Sequence, residues 1–129
     1  MRDTAAALYS FFSSFGLPAF VENNVPDVPN ENGIMEPFAP PYITYELREP
    51  EPGSNCSLTA RVWYLDTGFE TITRKVDEIK DALTNGYPMQ TNNGAIWLWM
   101  DTNFCQFQPP DEPKIKIAYL MLVMGSYKS

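Results

Sequence analysis

One stretch constrains the fold more than any other: Thr67 to Gly86, TGFETITRKVDEIKDALTNG. Phe69, Ile72, Val76, Ile79 and Leu83 recur three or four residues apart, which predicts a helix with a single apolar stripe. Thr67 with Glu70 makes a capping-box pattern at its start, and Asn85 with Gly86 supplies residues that accept the left-handed turn after a helix. Burying five such side chains is worth about 7 to 15 kcal/mol gross, an upper bound that needs a partner surface. The flanking segments must provide that surface, and they read as strands.

Upstream, Asp3 or Thr4 is positioned to cap a first helix in which Leu8, Phe11, Phe12 and Phe15 form a wide apolar face, and Gly16 with Pro18 stops it. Ala19 to Glu22 leaves room for a short strand. Residues 23–41, NNVPDVPNENGIMEPFAPP, carry five prolines and little periodicity, and so read as one long proline-rich loop. Tyr42 to Leu47 and Ser57 to Leu65 follow as strands rich in β-branched and aromatic residues, pairing as an antiparallel hairpin. In the second, Leu58, Ala60, Val62 and Tyr64 share one face and Thr59, Arg61, Trp63 and Leu65 the other.

Beyond the central helix, Tyr87 to Asn93 reads as a polar connector. Ala95 to Met100 is a strand apolar on both faces, Asp101 to Asn103 a turn, and Phe104 to Gln108 a further strand ended by Pro109 and Pro110. Lys114 to Met124 is the last and longest strand. The expectation is a single α+β domain over residues 1–129, an antiparallel-rich sheet with two helices packed on it, in the order α-β-β-α-β-β-β.

Composition enters as a set of exclusions. A net charge of −7 repels phosphate, and Lys and Arg form no stripe, which disfavours nucleic-acid reading. The absence of histidine removes Ser-His-Asp and Cys-His catalysis and the usual zinc sites. Cys56 reads as exposed in a turn and Cys105 as packed on a strand, neither with a base to activate it. Glu46, Asp66 and Asp101 are the carboxylates nearest strand ends, but no spacing pairs any two of them, so no enzyme and no cofactor is expected. Trp63, Trp97 and Trp99 would serve as a stacking platform for a strand or a sugar, or as core and subunit contact. Asp3 and nearby serines interrupt the apolar run after Arg2, and no segment is apolar enough to span a bilayer, so the chain reads as soluble and cytoplasmic.

Several strings together resemble the tail terminator, or tail completion, proteins of long-tailed bacteriophages. These are the amphipathic first helix ending in the Gly-Leu-Pro step of Phe15 to Pro18, the proline-rich loop leading into PPYITYEL (Pro40 to Leu47), ARVWYLD (Ala60 to Asp66) before the central helix, and the closing aromatic strands. The resemblance implies a sixfold ring that caps the tail tube, stops its growth and joins it to a head-completion or connector protein in the virion neck, with DNA passing through unbound. A ring subunit needs two different contact surfaces. The residues available for them are Val25, Ile34, Met35 and Phe38 in the loop and Trp97, Trp99, Leu120 and Leu122 on the doubly apolar strands. Glu49, Glu51, Asp111 and Glu112 are the candidates for an acidic lumen. The alternatives are a head-closure or minor capsid connector protein and, from another class, a monomeric peptide- or sugar-binding module.

Overall fold

The computed structural model describes residues 2–51, 53–66, 68–91, 94–108 and 114–128. Two helices, α1 (Arg2–Ser13) and α2 (Glu70–Leu83), accompany eight strands: β1 (Ala19–Val21), β2 (Asp27–Pro29), β3 (Met35–Pro37), β4 (Tyr42–Tyr45), β5 (Asn55–Leu65), β6 (Tyr87–Thr91), β7 (Gly94–Gln108) and β8 (Ile115–Lys128). Six of the strands form one sheet in the order β1-β4-β5-β8-β7-β6, while β2 and β3 pair as a separate hairpin. The α+β class and the antiparallel bias stand, with one parallel pair, β1 beside β4.

The element order differs from the expected one in three places. The segment expected as a connector pairs along β7 as β6, from Tyr87 opposite Leu98 to Thr91 opposite Gly94. Its apolar residues Tyr87 and Met89 pack against the core, which a strand can do while Gln90 and Pro88 face out. The two strands expected on either side of Asp101 to Asn103 are one strand, β7, carrying a large bulge. It spends five positions from Met100 to Cys105 where β8 spends two from Leu122 to Leu120. Finally, the loop of residues 23–41 contains the β2–β3 hairpin, closed when the Asn30 side-chain carbonyl accepts from the amides of Asn32 and Ile34.

On α2, Ile72, Val76, Ile79 and Leu83 are buried as the spacing predicts, and Gly86 at φ +78 donates its amide to the Leu83 carbonyl. Phe69 departs from the stripe. It stands at the N-cap, 45% exposed, with no side-chain cap bond, and Thr67 of the expected capping box lies outside the described residues. Asp3 and Thr4 fall within the first turn of α1 instead of capping it, and the Thr4 hydroxyl donates to Glu49. Leu8, Phe11, Phe12 and Phe15 are all buried.

The register of β4, β5 and β8 sorts their side chains by face. Ile43, Val62 and Ala118 lie across from one another, as do Tyr45, Ala60 and Leu120, and then Leu58 and Leu122. These residues share one cluster with the buried faces of both helices, so α1 and α2 cover the same side of the sheet. Leu120 and Leu122, considered as subunit contacts, are fully buried here and present no surface. Their neighbours on β8 point the other way.

Candidate assembly surface

The side of the sheet turned away from the helices carries the surface of interest. By the alternation of strands it presents Ser57, Thr59, Arg61 and Trp63 from β5, opposite Val123, Met121, Tyr119 and Ile117 from β8. Trp97 and Trp99 of β7 extend the same face past Gly125 and Val123. Most of these side chains are half-buried by one another, and Trp97 is 37% exposed. The Trp99 ring lies so close over Gly125 that a Cβ there would stand 3.2 Å from it and 2.8 Å from the Asn55 side-chain oxygen. A glycine at that position lets the indole lie flat on the strand.

One margin of this face is finished by the chain itself. Because β1 runs parallel to β4, residues 22–41 must cross from the end of one strand to the start of the other, and they do so on the helix-free side. Phe38 packs edge-on to Phe20 and Tyr42, at ring distances of 5.3 and 6.0 Å, and Tyr42 stacks on Trp63. Trp63 Nε1 donates to the Thr44 hydroxyl at 3.0 Å, which pairs the polar atoms of a threonine buried at this margin. Arg61 bridges outward to Glu22 at 3.1 Å and lies over the Tyr119 ring at 4.8 Å, while its Nε is buried without a hydrogen-bond partner.

The hairpin carried by this crossover is exposed along both strands. Its register puts Pro29, Met35 and Pro37 on one side and Val28, Ile34 and Glu36 on the other. Ile34 is 62% and Met35 58% exposed. Val25 and Phe38 at its base are half-buried. The structure thus divides the eight contact candidates three ways: an exposed arm tip (Ile34, Met35) above a pinned base (Val25, Phe38), an aromatic sheet face (Trp97, Trp99), and core (Leu120, Leu122). In the apolar run Leu120 to Met124 the sequence singled out Leu120 and Leu122 and not Met121 and Val123 between them, because so uniform a run does not reveal its outer side; Ile117 and Tyr119 were not singled out, and Lys116 beside them takes the buried side of the strand.

The titratable groups are dispersed. Glu46 is pushed up by partial burial, but hydrogen bonds from the Thr59 hydroxyl and amide, together with Arg48, outweigh that and leave its carboxyl below the ordinary value. Asp66 and Asp101 accept from the amides of Gly68 and Thr102 beside them, so the three carboxylates stand at three separate places: Glu46 against Thr59 of β5, Asp66 after β5 and Asp101 in the β7 bulge. Cys56 lies on β5, not in a turn, and burial raises both its thiol and that of Cys105, which disfavours the thiolate form. Among the described residues no group of three or more Cys, Asp or Glu converges as a metal site. A shallow groove between α1 and β6, lined by Asp3, Ser10, Phe11, Tyr87, Met89 and Gln90, holds a single carboxylate. Glu49 and Glu51 are exposed, and Asp111 and Glu112 lie outside the described residues. No described helix is long and apolar enough to cross a membrane.

The arrangement joins an apolar, aromatic sheet face and an exposed hairpin with an apolar tip on one acidic chain. No family model, curated protein or solved structure matches the chain.

Proposed function

We propose that this chain is a structural virion assembly protein of the tail-terminator kind, forming a ring, of six copies by the resemblance, that caps a tail tube, stops its polymerisation and offers a docking surface for a head-completion or connector protein. The observation that carries the reading is the pair of unlike apolar surfaces, the helix-free sheet face and the 27–37 arm, which is what a subunit needs in order to contact one neighbour on each side. Carboxylates held at separate places favour an assembly role over a catalytic one. Exposed Glu49 and Glu51 would help a ring lumen to repel passing DNA. Its place would be the neck of the virion, reached after folding in the host cytoplasm.

Native mass spectrometry and negative-stain imaging of the purified chain, alone and with tail-tube protein, test this. The expected result is a closed ring seated on tube ends and shorter tubes as its concentration rises. A chain that stays monomeric and never joins a tube overturns it. That result would favour the second reading, a peptide- or sugar-binding module, for which Trp97 and Trp99, two residues apart on one face of β7, are the supporting observation. Rings that bind capsid connectors but not tubes would point to a head-closure protein.

A further inference from the structure

We infer that the 27–37 hairpin is an assembly arm whose Met35 side seats on the helix-free sheet face of a second copy of this chain, against the strip formed by Trp99, Met121 and Val123. This rests on the ring reading and specifies the contact within it.

Three observations carry it. First, a two-stranded hairpin is marginal by itself, and this one keeps its apolar side chains in solvent while spending hydrogen bonds on its turn and on an Asn30 to Glu36 contact. It is built as a shape but lacks a core. Second, the arm is pinned at both ends to the β1–β4 margin, through the Glu22 amide on the Tyr45 carbonyl and Phe38 against Phe20 and Tyr42, and leaves the strip beyond Trp63 uncovered in its own chain. A hairpin of this length reaches about 10 to 15 Å, the width of about three strand spacings, so a neighbour's arm is long enough to cross the strip.

Third, charge selects the strip. Every copy carries −7, and residues 23–41 hold Asp27, Glu31 and Glu36 with no Lys or Arg. The helix α2 carries Glu70, Asp77, Glu78 and Asp81 against Arg74, Lys75 and Lys80, a net charge of −1 that offers such an arm no net attraction. From Ser57 to Trp63 and from Ile117 to Val123, the helix-free positions contain no acid and one base, Arg61. An acidic arm with a greasy tip therefore meets least repulsion and most apolar surface on that strip. Both surfaces belong to every copy and differ from each other, so the contact is head-to-tail and repeats around a ring.

Single-cysteine chains test this in a Cys56→Ala, Cys105→Ala background, one carrying Met35→Cys and the other Val123→Cys, mixed and mildly oxidised. A disulfide needs the two Cα atoms within about 7 Å, so only true neighbours cross-link. The expected result is the mixed disulfide in excess of its random share, together with self-association weakened about tenfold or more by Met35→Asp and much less by Ile34→Asp on the opposite side of the hairpin. Those two positions are exposed, and an unchanged thermal melt confirms that each variant folds. Dominant Val123 to Val123 cross-links would mean face-to-face pairing and overturn the inference. Rings that form without the mixed disulfide overturn it while leaving the ring reading intact, whereas a monomer with no cross-link removes both.

Discussion

The ammonium of Lys75 on α2 donates to the main-chain carbonyl of Phe15, just past the end of α1, at 2.6 Å, and is held there by Glu78 at 2.7 Å. One cation thereby satisfies a carbonyl left over where α1 stops and ties the two helices together over the sheet. The Lys75 side chain is only 17% exposed, so water replaces it poorly.

Substituting Lys75→Met should therefore lower the unfolding free energy by about 1 to 3 kcal/mol, the range for losing a charge-assisted bond and stranding a part-buried carbonyl. Glu78→Gln, at an exposed carboxylate, should cost less than about 0.5 kcal/mol. Urea unfolding followed by circular dichroism separates the two, and equal losses would contradict the assignment.

Glu46 makes stability depend on acid. Its carboxyl lies below the ordinary 4.5 in the folded chain because hydrogen bonds from Thr59 outweigh burial. The folded state favours the ionised form, so the stabilisation is complete above that ordinary value and is lost as the pH falls through the lower folded one. Glu46→Gln should be less stable than the parent at pH 7 by about 1 kcal/mol, and the gap should close as the pH falls through the lowered folded value. Urea midpoints for both proteins across this range give the check.

Gly125 has no room for a methyl group. A Cβ would stand 2.8 Å from the Asn55 side-chain oxygen, which can swing away, and 3.2 Å from the Trp99 ring, which is harder to move. Gly125→Ala should cost about 1 to 3 kcal/mol by overpacking and shift the tryptophan emission to the red as Trp99 lifts. An unchanged spectrum would mean that the ring has slack.

Leu120 and Met121 are adjacent on β8 and face opposite sides. Leu120→Ala opens a cavity beneath the helices and should cost about 2 to 5 kcal/mol. Met121→Ala should cost under about 1.5 kcal/mol, because a half-buried side chain leaves little void, and its larger effect should fall on self-association. Thermal melts and sedimentation of the two variants measure the contrast.

Much of this fold was written locally. The stripe of Ile72, Val76, Ile79 and Leu83, the apolar face of α1 and the alternation of Leu58, Ala60 and Val62 each follow from residues a few positions apart, and each packs as that spacing predicts. The contact candidates in the arm were also visible as apolar residues without a pattern to bury them: Ile34 and Met35 lie in solvent.

The rest needed partners distant in sequence. Tyr87 to Thr91 becomes a strand because β7 lies beside it, and Asp101 to Asn103 becomes a bulge, not a turn, because β8 holds both halves of β7 in one ladder. In a uniformly apolar run such as Leu120 to Met124, alternation defines two faces without saying which the helices will cover. That choice arises only when β8 pairs with β5, fifty or more residues earlier at every position, and the register puts Leu120 and Leu122 under the helices and Met121 and Val123 outside. The chain's own residues determined that it would form helices and strands with apolar faces; tertiary pairing decided which of those faces the helices cover and which they leave open.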